Sequence, residues 1–256
     1  INIAKIDAYV KLKSLIIGKP EIHKLNIISN EIHVDELKNA VKYFKPSNFK
    51  KFFLNEVEKG KISFNLDVNL KNNLINNYEI NGYVKNFFAG IEDVKLKKSS
   101  FIYLIKKNSG EIDNIRGFVN GFQINSGNLK FDNSKLLNIK GDLNSDLNLN
   151  KQNLYNLFKN DLIQDFLNFK FSGKIKSVFD VKFDKTLKVI DYQIEASGNI
   201  KKSQIEFIKP KKFLFVKKKI KNLNLEKTEV SLKFGKNIKN SLDINGFYIL
   251  DNNSPQ

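Results

Sequence analysis

The chain has 256 residues, a formal net charge of +17 and no Cys, Met or Trp. That length suits one large domain or two small ones. The missing cysteines exclude disulfides, thiol nucleophiles and zinc–thiolate sites, although they fix no compartment.

The charge invites a nucleic-acid reading, but Arg116 is the single arginine among 44 basic residues. Arginine is the side chain suited to forked contacts with phosphate and guanine. An Asn-, Ile-, Lys- and Phe-rich composition is the bias of an AT-rich genome, so the lysines are expected to form a solvated face and no nucleic-acid partner is expected. Attraction to anionic headgroups is a weaker functional reading of the same charge. No apolar run is long enough to span a bilayer. The pattern starts at once from Ile1, so the chain is expected to be a piece of a longer one, with any anchor outside it.

Taken in chain order, the first residues alternate apolar and polar from Ile6 to Leu12, and the apolar run continues into Leu15-Ile16-Ile17. This predicts a long first strand ending near Gly18-Lys19-Pro20, followed by a short strand around Leu25-Asn26-Ile27. Asp35 is placed to cap a helix over Glu36–Lys45, with Leu37, Ala40, Val41 and Phe44 at helical spacing and Pro46 as the stop. Ser47 is placed to cap a second helix through Phe49, Phe52, Phe53 and Val57, ending at Gly60. Amphipathic helices of this kind pack on a core, and here they read as covers over sheet ends.

Strict alternation then dominates. Ile62, Phe64, Leu66, Val68 and Leu70 share one strand face, with Ser63, Asn65, Asp67 and Asn69 on the other. Further runs cover Leu137–Leu149, Leu167–Phe183, Ile190–Ile200 and Leu242–Leu250. Leu167–Phe183 holds 17 residues, against about 5–6 in an ordinary strand. A third helix is expected near Gln152 to Phe158, continuing through Leu162 to Phe166, and a break near 150–166. The last residues, Asp251 to Gln256, are expected to fray.

Seven glycines sit inside these patterns (Gly60, Gly82, Gly117, Gly141, Gly173, Gly198 and Gly246), each followed two residues later by an apolar one, or by Tyr248 after Gly246. Their spacing is uneven, so they mark a loose succession of hairpins. A strand glycine marks a bend, a bulge or a close approach. Ordinary turn and twist chemistry explains them as well as strong curling of the sheet around a ligand does.

Candidate chemistry is sparse. His23 and His33 have no carboxylate cluster near them in sequence, and no phosphate loop, nucleophile elbow or zincin motif occurs. Glu56 with Glu58, and Glu92 with Asp93, read as solvated pairs. Phe213-Leu214-Phe215-Val216-Lys217-Lys218-Lys219 is the nearest approach to an aromatic and basic nucleic-acid face. The expectation is a non-enzymatic chain with no cofactor and no metal.

A sheet with one apolar face must bury that face against a second sheet, in a closed barrel, or against a ligand. The expected fold is mostly β: a long, strongly curved antiparallel sheet forming an open groove, or half-pipe, with two or three short amphipathic helices. Residues 1–256 then form one groove segment, and acyl chains lie on its apolar face. The lining candidates are Phe64, Leu66, Val68, Ile80, Val84, Ile139, Leu143, Phe169, Phe171, Ile175, Phe179, Ile194 and Ile200. A structural β-sandwich or adhesin-like domain that binds protein and no lipid explains the alternation nearly as well.

Several segments also carry a family likeness. In order they are Leu15-Ile16-Ile17-Gly18-Lys19-Pro20, Leu25-Asn26-Ile27, the aromatic stretch Tyr43-Phe44-Lys45-Pro46-Ser47-Asn48-Phe49, and Gly60-Lys61-Ile62-Ser63-Phe64. Ile80-Asn81-Gly82-Tyr83-Val84-Lys85-Asn86, Ser100-Phe101 and Gly117-Phe118-Val119-Asn120-Gly121-Phe122 follow, then Ser126-Gly127-Asn128-Leu129 and Ile139-Lys140-Gly141-Asp142-Leu143-Asn144-Ser145. Residues 1–150, and more loosely the chain to Leu250, resemble the AsmA-like superfamily, in particular the middle region of YhdP-type proteins, with TamB a more distant relative. The family has no catalytic residues to transfer. The resemblance implies a periplasmic location, a tether to the inner membrane through a segment outside this chain, and movement of phospholipid toward the outer membrane. It also leaves room for envelope protein partners. The segment is too short to bridge an envelope alone, so it would form one part of a conduit.

Overall fold

The computed structural model describes residues 2–72, 74–91, 94–152, 165–186, 188–212 and 218–250. Among the described residues the chain is mostly strand, arranged as one antiparallel thirteen-stranded sheet that does not close, with three short helices. The strands are β1 (Ile3–Val10), β2 (Ile22–Ser29), β3 (Ile32–His33), β4 (Val57–Lys71), β5 (Leu74–Ile91), β6 (Val94–Lys106) and β7 (Ser109–Val119), then β8 (Phe122–Asp132), β9 (Asn138–Asn150), β10 (Phe166–Phe183), β11 (Val189–Lys212), β12 (Lys219–Gly235) and β13 (Ser241–Leu250). The helices are α1 (Leu12–Ile16), α2 (Val34–Val41) and α3 (Asn48–Glu56). Strands follow sequence order along the sheet, except that β3 pairs with β4 off the main path. The chain packs as two compact units: residues 1–119 with 127–139, and residues 120–126 with 140–256.

The first unit buries its core at one end. Val34 and Val41 of α2 and Phe53 of α3 close over Val57 and Ile62 of β4 and Val84 and Ala89 of β5. Each such Val, Ile or Phe side chain, fully buried, contributes about 1.5–3 kcal/mol. The helices are short because their ends are tied locally. Ser47 caps α3 by accepting a 3.1 Å hydrogen bond from the Lys50 backbone N–H. The Lys50 ammonium donates to the Lys42 and Phe44 carbonyls, each at 2.6 Å, and so satisfies the turn that follows α2.

Several boundaries differ from the sequence expectation, among them the end of α2 at Val41 in place of Lys45. The first strand stops at Val10, and Leu12–Ile16 is helical. The buried Ser14 hydroxyl donates to the Lys11 carbonyl at 2.6 Å and accepts from the Glu21 N–H at 2.9 Å, which folds the apolar run into a knuckle. Helix α2 begins at Val34, with His33 as its N-cap, because Ile32 and Val34 are both needed in the interior. Asp35 therefore sits in the first turn, where its charge favours the helix dipole without capping it. Helix α3 gives way to strand at Val57, three residues before Gly60. Of the expected third helix, residues 153–164 lie outside the described ones, and Phe166 opens β10. Residues 92–93, 213–217 and 251–256 also lie outside them.

In the second unit β10 to β13 form successive ladders. β10, β11 and β12 run for 18, 24 and 17 residues. Phe166, Phe169 and Phe207 gather at one end, with ring centroids 5.5 to 5.6 Å apart across the two pairs Phe166 makes.

Candidate functional site

Direct cross-strand partners share a sheet face, so the registers show which residues stand together. In the first unit Ile6, Ile27, Leu66 and Ile80 form one row, and Ala8, Leu25, Val68 and Tyr78 form the next. Phe64 lies opposite Gly82, and Val84 opposite Ile62. Phe64, Leu66, Val68, Ile80 and Val84 are thus brought onto one face. Val84 sits beneath the helices as part of the core, whereas Phe64, Leu66 and Ile80 are half-buried. On the opposite face Asn26 stands between Asp7 and Asp67 and donates to Asn65 at 2.7 Å and to Asp67 at 3.2 Å. The bond from Asn26 and, to a lesser degree, the Lys24 ammonium hold the Asp67 carboxyl below its ordinary value.

The second unit repeats the arrangement on a broader scale. Phe169, Ile205, Leu223 and Leu250 form a row across four strands. Phe171, Ser203, Leu225 and Tyr248 form another, as do Ile175, Gly198, Val230 and Ile244. Ser177, Ala196, Leu232 and Leu242 follow, then Phe179 with Ile194 and Phe234. Phe169, Phe171, Ile175, Phe179, Ile194 and Ile200 therefore share a face. Phe169 and Ile200 are buried and the other four half-buried. Towards β13 the same face opens, with Leu242 and Ile244 60 % and 57 % exposed. Ile139 and Leu143 both lie half-buried on β9, Ile139 in the first unit and Leu143 in the second.

Glycines set the local bends. At Gly82 an added Cβ would overlap the Ser63 carbonyl oxygen on β4 and come within 2.9 Å of the Tyr103 hydroxyl on β6. Tyr103 reaches over the glycine and donates to that carbonyl at 3.0 Å. Burial pushes the Tyr103 phenol up to about 12. Gly198 repeats the close approach, against the Lys174 carbonyl and the Ile175 side chain. At Gly117 and Gly246 the space is taken by the buried hydroxyl residues Ser99 and Thr228, next to register shifts in the β6–β7 and β12–β13 ladders.

The second unit also holds a depression of about 780 Å³. Two cross-strand rows line it: Lys174, Asn199, Glu229 and Asn245, and Lys176, Ser197, Ser231 and Asp243. Asn144 and Asp146 of β9 border it as well. Between those two rows the row Ile175, Gly198, Val230 and Ile244 lines it too, and Ile175 is the lining candidate that touches it. Sequence reasoning missed this depression. The Lys, Asn and Asp positions between the apolar ones are its signal, and they read equally well as solvent-facing.

Among the described residues no group of three His, Asp or Glu side chains is placed to hold a metal ion. No helix among them is long and apolar enough to cross a membrane. Comparison with known proteins gave no matching family model, no matching curated protein and no matching solved structure.

Proposed function

We propose that the chain is a non-enzymatic lipid-binding segment that holds phospholipid acyl chains against the apolar face of its sheet. In this reading it forms part of an AsmA-like, inner-membrane-tethered periplasmic conduit that moves phospholipid between the two membranes. The observation that carries the proposal is the run of apolar rows across β10 to β13. The strands are far longer than a small core needs, and the face grows more exposed toward Leu242 and Ile244. Flexible hydrocarbon chains suit a broad face of Phe, Ile, Leu and Val because apolar burial is non-directional. The family likeness of residues 1–150 supports the same reading.

Native mass spectrometry of the purified chain, with organic extraction of what travels with it, tests the proposal. Stoichiometric phospholipid is the expected result, with its loss in Ile244→Asp, a change at an exposed site that leaves the fold intact. Phe171→Asp is expected to lose lipid too. A lipid-free mass, with an unfolding transition that added phospholipid leaves unmoved, would overturn the proposal in favour of a protein-binding structural domain.

A further inference from the structure

The end of the first unit away from its helical core carries a different surface. Lys24 of β2 pairs with Asn69 of β4, and Lys71 of β4 with Leu74 of β5, so α1 and the β4–β5 hairpin stand at the same end of the ladder. Six large apolar side chains project there: Leu12, Leu15, Ile16, Ile17, Leu74 and Ile75, each between 53 % and 78 % exposed.

The α1 knuckle is firmly built. Besides the two bonds of Ser14, the Lys11 N–H donates to the Glu21 carbonyl at 2.9 Å, and the Lys19 N–H to the Ser14 carbonyl at 2.9 Å. Gly18 takes a left-handed φ of 71° in open space and turns the chain out of the helix. A backbone this well satisfied holds four apolar side chains in water, a costly display that packing within the unit does not relieve.

Lysines accompany the apolar tips. Lys13, Lys19 and Lys71 are exposed, and among the described residues no carboxylate pairs with them, whereas Lys11 is taken by Glu21. Strands β1, β2, β4 and β5 span about 14 Å at the usual sheet spacing. Both knuckles on this narrow edge end in apolar tips, with lysines beside them. Small apolar tips interleaved with lysines match the boundary between headgroups and acyl chains. There the apolar ends enter, and the ammonium groups stay with the phosphates.

We propose that this edge seats in the surface of a bilayer containing anionic lipid, with the six apolar side chains entering the headgroup region and Lys13, Lys19 and Lys71 contacting the headgroups. The proposal is independent of acyl-chain binding by β10 to β13.

Flotation of the full chain with vesicles tests it, using phosphatidylcholine alone and phosphatidylcholine mixed with phosphatidylglycerol. The chain is expected to float with the anionic vesicles and to be released as salt rises. Ile16→Ser with Ile17→Ser should weaken binding about 10- to 100-fold, and Lys13→Gln with Lys19→Gln about 30-fold on anionic vesicles. All four positions are exposed, so the thermal transition should not move. Ile244→Ser, on the apolar face of β13, should float like the wild type. Absence of flotation, or flotation undiminished in the Ile16/Ile17 variant, would overturn the proposal. So would equal loss in Ile244→Ser, which would assign the lipid contact to the sheet face. Concentration-dependent self-association without vesicles, abolished in the Ile16/Ile17 variant, would give the edge to a second copy of the chain and overturn it as well.

Discussion

Replacing Gly82 by alanine should test how tightly the sheet bends over that glycine. The backbone there is not left-handed, so an L-residue suffers no φ penalty and the cost is steric. The new methyl would overlap the Ser63 carbonyl oxygen and crowd the Tyr103 hydroxyl at 2.9 Å. Forcing a methyl into such a site costs about 1–3 kcal/mol. Displacing Tyr103 from the Ser63 carbonyl costs about 1 kcal/mol more. The expected loss is about 3 kcal/mol, or a fall in Tm of about 10 °C for a chain of this size. Urea denaturation reads it as a lower midpoint at constant slope. In a double-mutant cycle, Tyr103→Phe should recover part of the loss, by about 0.5 kcal/mol or more, since one of the two clashes disappears. A Gly82→Ala loss below about 1 kcal/mol would refute the claim that β4 and β6 close over this glycine.

Other outcomes follow from the same geometry. Ser47→Ala should cost about 1 kcal/mol in a urea titration by removing the acceptor for the Lys50 N–H. The Glu31 carboxyl is held below its ordinary value of 4.5 by its hydrogen bond to Lys61 and, to a lesser degree, by Lys85. Its stabilising contribution is therefore complete above that value and is lost as pH falls through the lowered folded value. Glu31→Gln should flatten the acid limb of a stability–pH curve, and an unchanged slope would contradict the ion pairs. The Tyr103 phenol, raised by burial, favours the fold below its ordinary value of 10.0 and withdraws that support as pH climbs to about 12. A phenolate absorbance titration should show one of the eight tyrosines lagging, and Tyr103→Phe should remove the lag.

Period-two alternation made the strands legible, since a face lined by Phe64, Leu66 and Val68 admits one backbone geometry. The register stayed hidden because it is set by pairs distant in sequence, such as Leu66 with Ile80 and Ile175 with Gly198. Glycine positions were visible, but their role needed the neighbouring strand. Nothing local to Gly82 announces the Ser63 carbonyl lying against it. The α1 knuckle was misread because Leu15-Ile16-Ile17 fits a strand as well as a helix. The deciding contacts are those of a single buried serine, Ser14. Among the lining candidates, a shared face was legible, but the depth of each residue was not. Val84 lies under α2 and α3 because two helices inserted earlier in the chain return to cover that end of β5.

The order of strands along the sheet also shapes how the molecule comes apart. From β4 onward each strand pairs with its successor in sequence, so each ladder extends outward from the connection that joins its two strands. Such a chain can assemble hairpin by hairpin, each new strand templated on the last. Cooperativity is then passed between neighbours along a line, as in repeat proteins. Amide exchange should grade along that line, slowest where α2 and α3 clamp β4 and β5 and fastest at β13, whose outer edge has no neighbouring strand among the described residues.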